Sequence, residues 1–205
     1  MKTKSIVIIA SGILVVAGAM LAVRQTYAAT DTEQVTLQVD VAEVLAMSVD
    51  SATVDMGTLT PGTPVTGSSV VTVTTNANGG YDLKVKRDDS DTTMDHTVLP
   101  SYNITDKTAW DGSSSAATWS GTGLGFSVYA STATKNTTWW GSGTACDDAA
   151  NKYAGFPSSY TTIMSHSSYS ATSTTTSVCY KLDVPSTQRS GAYDGTITYQ
   201  ATSKP

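Results

Sequence analysis

Apolar and polar residues alternate along several stretches of this chain, and this alternation limits the possible folds more than any other feature. Stretches 35–41, 81–85 and 178–184 carry an aliphatic or aromatic residue at every second position. A period of two is typical of a β-strand that buries one face. No window after Thr30 keeps a helical period long enough to indicate a helix. The sequence therefore predicts an all-β body.

Turn signals divide the body into roughly eight strands, which predicts a two-sheet sandwich of the Ig-like, Greek-key kind. A turn rich in Asn and Gly at 76–80 lies between strands at 71–75 and 81–85, and these two strands are predicted to pair as a hairpin. The pattern is irregular over about 88–176, so a loop-rich middle is expected. We interpret residues 29–205 as one domain.

The first 28 residues have the pattern of an export signal. Lys2 and Lys4 precede an uninterrupted run of apolar or small residues at 6–23, and small residues lead up to Ala28. Segment 1–28 is therefore predicted to be a signal helix that is cleaved after Ala28. The apolar run is also near the length that spans a bilayer, so an uncleaved signal anchor is the alternative. In either case the body is expected to be secreted or held at the cell surface or cell wall, with membrane contact only through this segment.

The charge balance of the body argues against a nucleic-acid partner. Three of the twelve Lys and Arg residues lie within the first 28 residues, and all seventeen Asp and Glu residues lie after them. An acidic body offers no basic surface to a phosphate backbone. Only 14% of the residues are charged, compared with about 25% in an average soluble domain.

The chain has two cysteines, Cys146 and Cys179, and both lie in the body. An even number of cysteines in an exported, oxidising setting predicts one disulfide bond. Two unpaired thiols in a poorly oxidising envelope are the alternative. A zinc site is not expected, because His96 and His166 lie at no ligand spacing from either cysteine.

Three stretches of the body resemble secreted bacterial surface proteins with a β-sandwich fold. Residues 71–85 resemble a V-x-V-x-T-N-x-x-x-G-Y-x-L pattern, residues 54–62 a V-x-F-G-x-L-x-P-G pattern, and residues 190–199 a closing G-x-Y-x-G-x-I-T-Y strand. Such features occur in WxL-type cell-wall domains, in spore-coat-U-like proteins and in fimbrial subunits. The resemblance covers both ends of the body and implies surface display, adhesion or fibre building. The chain lacks the W-x-L tripeptides that carry wall binding in the first of these groups.

An acidic stretch at 88–95 contains a candidate metal site. Asp89, Asp91 and Asp95 carry carboxylate oxygens, which are the ligands that calcium prefers. The stretch departs from the EF-hand pattern because it has no central Gly and no Glu at the twelfth position. A solvated turn with repelling charges is the alternative, and no other cofactor is expected.

The four tryptophans form a candidate ligand-binding set in Gly- and Ser-rich surroundings: Trp110, Trp119, Trp139 and Trp140. Flat rings on loops can stack against sugar faces, and polar neighbours can bind the sugar hydroxyls. The alternative is that each ring covers one end of the core.

No set of catalytic residues stands out. The chain has no G-x-S-x-G motif, and its two glutamates, Glu33 and Glu43, lie near the start of the body. A non-enzymatic protein is therefore expected, a structural or adhesive subunit that exchanges its N-terminal strand with other copies or other surface proteins. The alternative is a module that binds glycan or cell wall through loop tryptophans and tyrosines.

Overall fold

The computed structural model describes residues 29–205 of the chain. The predicted signal helix, residues 1–28, lies outside the described residues. The chain divides into two units, whose described parts are residues 29–41 and residues 42–205.

Residues 29–41 form neither a helix nor a strand. The aliphatic side chains at positions 35, 37, 39 and 41 are between 81% and 89% exposed. The strand predicted over 35–41 is therefore absent from the single chain. The prediction is wrong because a strand needs a neighbour with which to exchange backbone hydrogen bonds, and no strand pairing within 29–205 includes these residues.

Residues 42–205 fold almost entirely as β-strands, which confirms the all-β prediction. The strands described in this unit are β1 (Leu45–Val49), β2 (Val65–Thr75), β3 (Tyr81–Arg87), β4 (Asp95–His96), β5 (Ala117–Thr118), β6 (Gly123–Ser131), β7 (Lys152–Tyr153), β8 (Thr161–His166), β9 (Ser170–Asp183), β10 (Tyr193–Asp194) and β11 (Ile197–Ser203). A single turn of helix, α1 (Thr137–Trp140), lies between β6 and β7.

Two antiparallel sheets contain all the longer strands of this unit. The first sheet has the order β1-β2-β9-β6, and the second has the order β11-β3-β8. The two-residue strands form separate pairs, β10 with β4 and β5 with β7. β9 is the longest strand, with 14 residues, and it pairs with both β2 and β6.

The hairpin predicted from 71–75 and 81–85 is not present. β2 pairs with β1 and β9, whereas β3 pairs with β11 and β8, so the turn at 76–80 carries the chain from one sheet to the other. Gly80 has a φ of 79° in this turn, and a Cβ there would collide with the carbonyl oxygen of His166. The prediction is wrong because alternation marks a strand with one buried face but does not specify which strand lies beside it.

One cluster of buried apolar residues draws on both sheets. Val71 of β2 and Val178 of β9 enter it from the first sheet, and Leu83 and Val85 of β3 enter it from the second. All four side chains are completely buried. The period-two pattern in each strand therefore has the expected cause, because the alternate side chains fill a shared interior.

Hydroxyl groups join strands of the two sheets. Tyr180 Oη of β9 lies 2.8 Å from Tyr199 Oη of β11. Tyr81 Oη of β3 lies 2.5 Å from Thr174 Oγ1 of β9. Burial raises the pKa of both Tyr180 and Tyr199, so each phenol stays protonated and one can donate to the other.

Cys146 and Cys179 form a disulfide bond, which confirms the pairing predicted from the cysteine count. Cys179 lies in β9 and is fully buried, whereas Cys146 belongs to the loop between α1 and β7. The Tyr153 hydroxyl donates a hydrogen bond of 2.9 Å to the Cys146 carbonyl oxygen. The disulfide bond therefore attaches the long loop between α1 and β7 to β9, an inner strand of the first sheet.

Removal of this disulfide is expected to lower the free energy of unfolding. The two cysteines are 33 positions apart, and closing a loop of that length contributes about 3 to 4 kcal/mol in the chain-entropy model. We predict that the double variant Cys146→Ala/Cys179→Ala unfolds at a lower urea concentration than the wild type by about that free energy. Wild-type protein kept in reductant serves as the control and is expected to match the variant. An unchanged urea midpoint would contradict the prediction.

Candidate functional site

Residues 35–41 present a stripe of apolar side chains to solvent. The stripe, called the N-terminal stripe below, consists of Val35, Leu37, Val39 and Val41. The residues between them are polar: Thr36, Gln38 and Asp40. Several exposed large apolar side chains close together in the sequence are typical of an interaction site. The N-terminal stripe has the composition of a strand that would bury one face against a partner.

β1 has hydrogen-bonding groups with no partner strand along its outer edge. It lies at the end of the first sheet and pairs with β2 alone. Backbone hydrogen bonds between β1 and β2, with the residues that flank them, occur at even positions of the β1 stretch. Asn76 N donates to Val44 O at 3.2 Å, and Asp50 N donates to Val70 O at 3.0 Å. Because bonded and non-bonded residues alternate in an antiparallel pair, the N–H and C=O groups of residues 45, 47 and 49 point away from β2.

The side chains at these odd positions of β1 lie on the core-facing side of the sheet but remain half-exposed. Met47 lies opposite Val73, and Val49 lies opposite Val71. Met47 and Val49 are each 38% exposed, whereas Val73 and Val71 are 1% and 0% exposed. The nearby strand β11 contributes further partly buried apolar residues: Ile197, Tyr199 and Ala201. We call this partly open border between β1 and β11 the β1 seam.

The edge strands β6 and β8 have partners where β1 has none. In β6, Phe126 exchanges backbone hydrogen bonds of 2.8 and 3.1 Å with Ala154. In β8, the carbonyl oxygens of Thr162 and Ile163 accept hydrogen bonds of 2.7 and 2.9 Å from two indole N–H groups. Covering an edge prevents it from pairing with another chain. β1 therefore stands out as the open edge of the first sheet.

Asn76 holds the chain in place immediately before β1. Its Nδ2 donates to the Ala42 carbonyl oxygen at 2.9 Å, and its Oδ1 accepts from the Val44 N–H at 2.6 Å. Together with the Asn76 N–H bond to Val44 O, these contacts fix residues 42–44 alongside the end of β2. These three hydrogen bonds hold residues 42–44 in line with β1.

The three aspartates of the predicted calcium site lie together in the loop between β3 and β4. Carboxylate oxygens of Asp89, Asp91 and Asp95 all lie within 4.8 Å of one another. Asn103 Nδ2 donates to Asp91 Oδ2 at 3.0 Å, which holds one side of the cluster. Three carboxylates leave room for water ligands around a calcium ion, which takes six to eight oxygens. The donor set fits a hard cation, and calcium binding remains a prediction.

Desolvation and the neighbouring carboxylates raise the pKa of Asp89 from 3.8 to about 6. The Thr92 N–H, which donates to Asp91 at 2.9 Å, lowers the pKa of Asp91. Asp89 therefore keeps its proton up to about pH 6, whereas Asp91 ionises at a lower pH than an ordinary aspartate. A cation among the three would favour the ionised form of Asp89.

A buried ion pair, which the sequence did not indicate, holds this loop. Arg87 Nη1 lies 3.1 Å from Asp106 Oδ2, and the two side chains are nearly buried. Arg87 also donates to the carbonyl oxygens of Asp89 at 3.2 Å and Ser90 at 2.8 Å. Burial raises the pKa of Asp106, and bonds from Thr93 and the charge of Arg87 partly offset that rise. No local pattern distinguishes Asp106 from the exposed aspartates around it.

Two of the four candidate tryptophans belong to the core. Trp110 and Trp140 are 3% and 0% exposed, and their ring centroids are 4.6 Å apart. Their indole N–H groups are the donors to Thr162 and Ile163 of β8. Neither ring has a free face, so in the folded body these two do not stack on a ligand. Trp110 and Trp140 therefore pack in the core, which is the alternative that the sequence left open.

Trp119 packs beside two lysine side chains near the start of β6. Lys107 Nζ lies 4.3 Å from the centre of its ring and Lys181 Nζ lies 5.3 Å away. Tyr153 contacts the ring edge-on, with centroids 5.3 Å apart. Cations prefer the face of an indole, so Trp119 is already occupied by contacts within the chain.

Trp139 is the candidate tryptophan that borders a surface cleft. The cleft has a volume of about 290 Å³ and is lined by Thr134, Lys135, Asn136, Trp139, Met164 and Ser165. Asn136 caps α1, because its Oδ1 accepts a hydrogen bond of 3.1 Å from the Trp139 N–H. Because an α-helix has about 3.6 residues per turn, neighbouring residues lie on different sides of α1, and Trp139 borders the cleft whereas Trp140 is buried. A partly exposed ring beside hydroxyl, amide and ammonium groups is suited to a small polar ligand.

Among residues 29–205, no helix is long and apolar enough to cross a membrane. Comparison of the chain with protein-family models, with curated proteins and with solved structures gave no match. The resemblance to bacterial surface proteins therefore rests on the sequence patterns alone.

The raised pKa of Asp89 predicts a pH-dependent stability. Because the folded pKa lies above that of an unfolded Asp, the group stabilises the fold fully below about pH 4 and loses this contribution as the pH rises through about 6. Asp89→Asn removes the titration. We expect the melting temperature of the wild type, relative to Asp89→Asn, to fall between pH 4 and pH 7. The measurement is a series of thermal melts of both proteins across this range.

Calcium is expected to reverse this trend if the three aspartates bind it. A bound cation favours the ionised carboxyl, so calcium chloride should raise the melting temperature of the wild type at pH 7 and leave Asp89→Asn less affected. Magnesium chloride at equal ionic strength is the control. A constant difference between the two proteins at every pH would contradict the pKa argument, and equal effects of the two salts would contradict the calcium site.

Proposed function

We propose that this protein is an exported, non-enzymatic surface subunit with a structural or adhesive role, which assembles by exchanging its N-terminal segment. The observation that carries the proposal is the N-terminal stripe of residues 35–41. It has the period of a strand, it is exposed, and it has no partner strand within residues 29–205. A segment of this kind gains hydrogen bonds and apolar cover only by joining a sheet.

Burial of the N-terminal stripe is the main favourable contribution to association. Burying one Val or Leu side chain contributes about 1.5 to 3 kcal/mol, and each stripe carries four such side chains. Backbone hydrogen bonds to an open sheet edge add to this contribution.

We infer that the two main sheets form the layers of an Ig-like sandwich. The shared apolar cluster and the Tyr180–Tyr199 hydroxyl contact support this inference. The strand orders also support it, because consecutive strands β2 and β3 lie in different sheets. Greek-key connections in a sandwich also carry the chain from a strand of one sheet to a strand of the other. A sandwich exposes the edges of both sheets along its sides, and β1 lies on such a side.

The disulfide and the pattern of residues 1–28 support export. A disulfide in the body is stable in an oxidising setting such as the outside of the cell. The low content of charged residues is consistent with a surface role. The protein is proposed to act beyond the cytoplasm, either released or held at the cell surface or wall.

Assembly through the N-terminal stripe is tested with two matched triple variants of residues 29–205. We expect Val35→Ser/Leu37→Ser/Val39→Ser to be monomeric, because it removes the apolar face of the segment. The control, Thr36→Ser/Gln38→Ser/Asp40→Ser, changes the polar face and is expected to assemble like the wild type. Light scattering on eluting fractions gives the mass of each. Equal masses for all three proteins would refute assembly through this stripe.

A glycan-binding or wall-binding module is the second candidate, and the cleft beside Trp139 favours it. We expect Trp139→Ala to lose pull-down by isolated cell-wall glycans, because the ring supplies the stacking surface. Trp139→Phe keeps a flat ring and is expected to retain part of the binding. Pull-down of the alanine variant at the wild-type level would reject this site.

A further inference from the structure

We infer that the N-terminal stripe of one copy pairs with the outer edge of β1 in a second copy, reciprocally and antiparallel, so that two copies form a closed dimer. The inference rests on the proposed strand exchange and specifies its acceptor, register and symmetry. Four observations support it: the free hydrogen-bonding groups of β1, the odd-numbered positions of its core-facing side chains, the position of Asn76, and the covered outer edges of β6 and β8.

The outer edge of β1 supplies the backbone groups that a new strand requires. The N–H and C=O groups of residues 45, 47 and 49 point away from β2, as the bonds at positions 44 and 50 show. A strand added at this edge would exchange its hydrogen bonds with these three residues. The edge strands β6 and β8 carry contacts from Ala154 and from two indoles, so they are poorer acceptors.

The register is set by which alternate residues of each strand carry the core-facing side chains. Residues directly opposite each other in adjacent strands have their side chains on the same face. The core-facing residues of β1 are odd-numbered, and so are all members of the N-terminal stripe. An odd residue of the stripe must therefore lie opposite an odd residue of β1. The apolar side chains then enter the β1 seam, where Met47 and Val49 are half-exposed.

A two-fold pairing centred on Ala42 meets these conditions in both copies at once. It places Leu37 opposite Met47 of the second copy, Val39 opposite Leu45 and Val35 opposite Val49. The same pairs then recur with the copies exchanged, because the interface is isologous. The apolar side chains of both stripes gain cover and both outer edges of β1 become paired, so the β1 edge of each copy is occupied within the dimer.

Asn76 explains why the acceptor belongs to a second copy. A hairpin that returned residues 35–41 to β1 of the same chain would need its turn at 42–44. Asn76 holds these residues through bonds to Ala42 and Val44. Pairing between two copies keeps these bonds and requires no turn.

Cysteine cross-linking tests the register in the chain of residues 29–205. Opposed residues of a hydrogen-bonded antiparallel pair have Cα atoms about 5.5 Å apart, a distance that a disulfide bridges. We expect the variant Leu37→Cys/Met47→Cys to form a covalent dimer on mild oxidation. The matched control, Gln38→Cys/Met47→Cys, places one cysteine on the opposite face and is expected to give at least about tenfold less dimer.

Each outcome decides between the inference and the function on which it rests. A single dimer band from the Leu37 pair and little from the Gln38 pair supports the inference. A ladder of larger species would overturn the two-fold closure, and equal yields from the two variants would overturn the register. If the serine variant of the stripe is monomeric and yet neither cysteine pair cross-links, strand exchange stands and β1 is not the acceptor.

A second cysteine pair guards against a variant that fails to fold. Val39→Cys/Leu45→Cys is predicted to cross-link in the same register. Far-ultraviolet circular dichroism and mass spectrometry of the native Cys146–Cys179 bond report whether each variant is folded. Two folded variants that both remain monomeric after oxidation would overturn the proposed register.

Discussion

A β-strand needs a hydrogen-bonded neighbour along its edge and apolar cover over one face, and this double requirement explains how the described chain is arranged. β2, β3 and β9 satisfy both conditions, and alternate side chains along most of β2 and β3 and over residues 174–182 of β9 are buried. β1 satisfies the first condition on one side only. Residues 35–41 satisfy neither, although their sequence alternates as regularly as that of any strand in the body. Loops of the body supply such hydrogen bonds and apolar cover to the edge strand β8.

The region between β3 and β9 shows how loops can cover an edge. Trp110 and Trp140 bury their rings in the shared cluster and direct their N–H groups to the carbonyl oxygens of β8. Each indole therefore provides apolar cover and hydrogen-bond donation together. The disulfide to Cys179 attaches the loop that follows α1 to the first sheet. Long polar loops are retained in the fold because a few anchored side chains hold them.

Local patterns in the sequence were enough for the fold class but not for the arrangement of the strands. The all-β body and the disulfide follow from alternation and from a cysteine pair. The separation of 71–75 and 81–85 into different sheets did not follow, because the same alternation serves two strands side by side or face to face. The turn at Gly80 gives no local sign of which arrangement it connects.

Some features of the candidate sites could be predicted from the sequence and others could not. Asp89, Asp91 and Asp95 were predictable as a group because they are neighbours in one loop. Trp139 and Trp140 are adjacent, yet one borders a cleft and the other is buried, because neighbouring residues lie on different sides of the helical turn α1. The ion pair of Arg87 with Asp106 joins distant positions, so nothing local could have indicated it.

The position of Asn76 has a mechanical consequence. Tension applied to residues 29–41 along the chain reaches the body first at Ala42 and Val44, where one side chain and one backbone N–H share the load through three bonds. Beyond this point the chain continues as β1, which is held along its length by backbone hydrogen bonds to β2. The Cys146–Cys179 crosslink joins β9 to the loop between α1 and β7 and does not include β1, so it adds nothing to the resistance at the point where tension first enters the body.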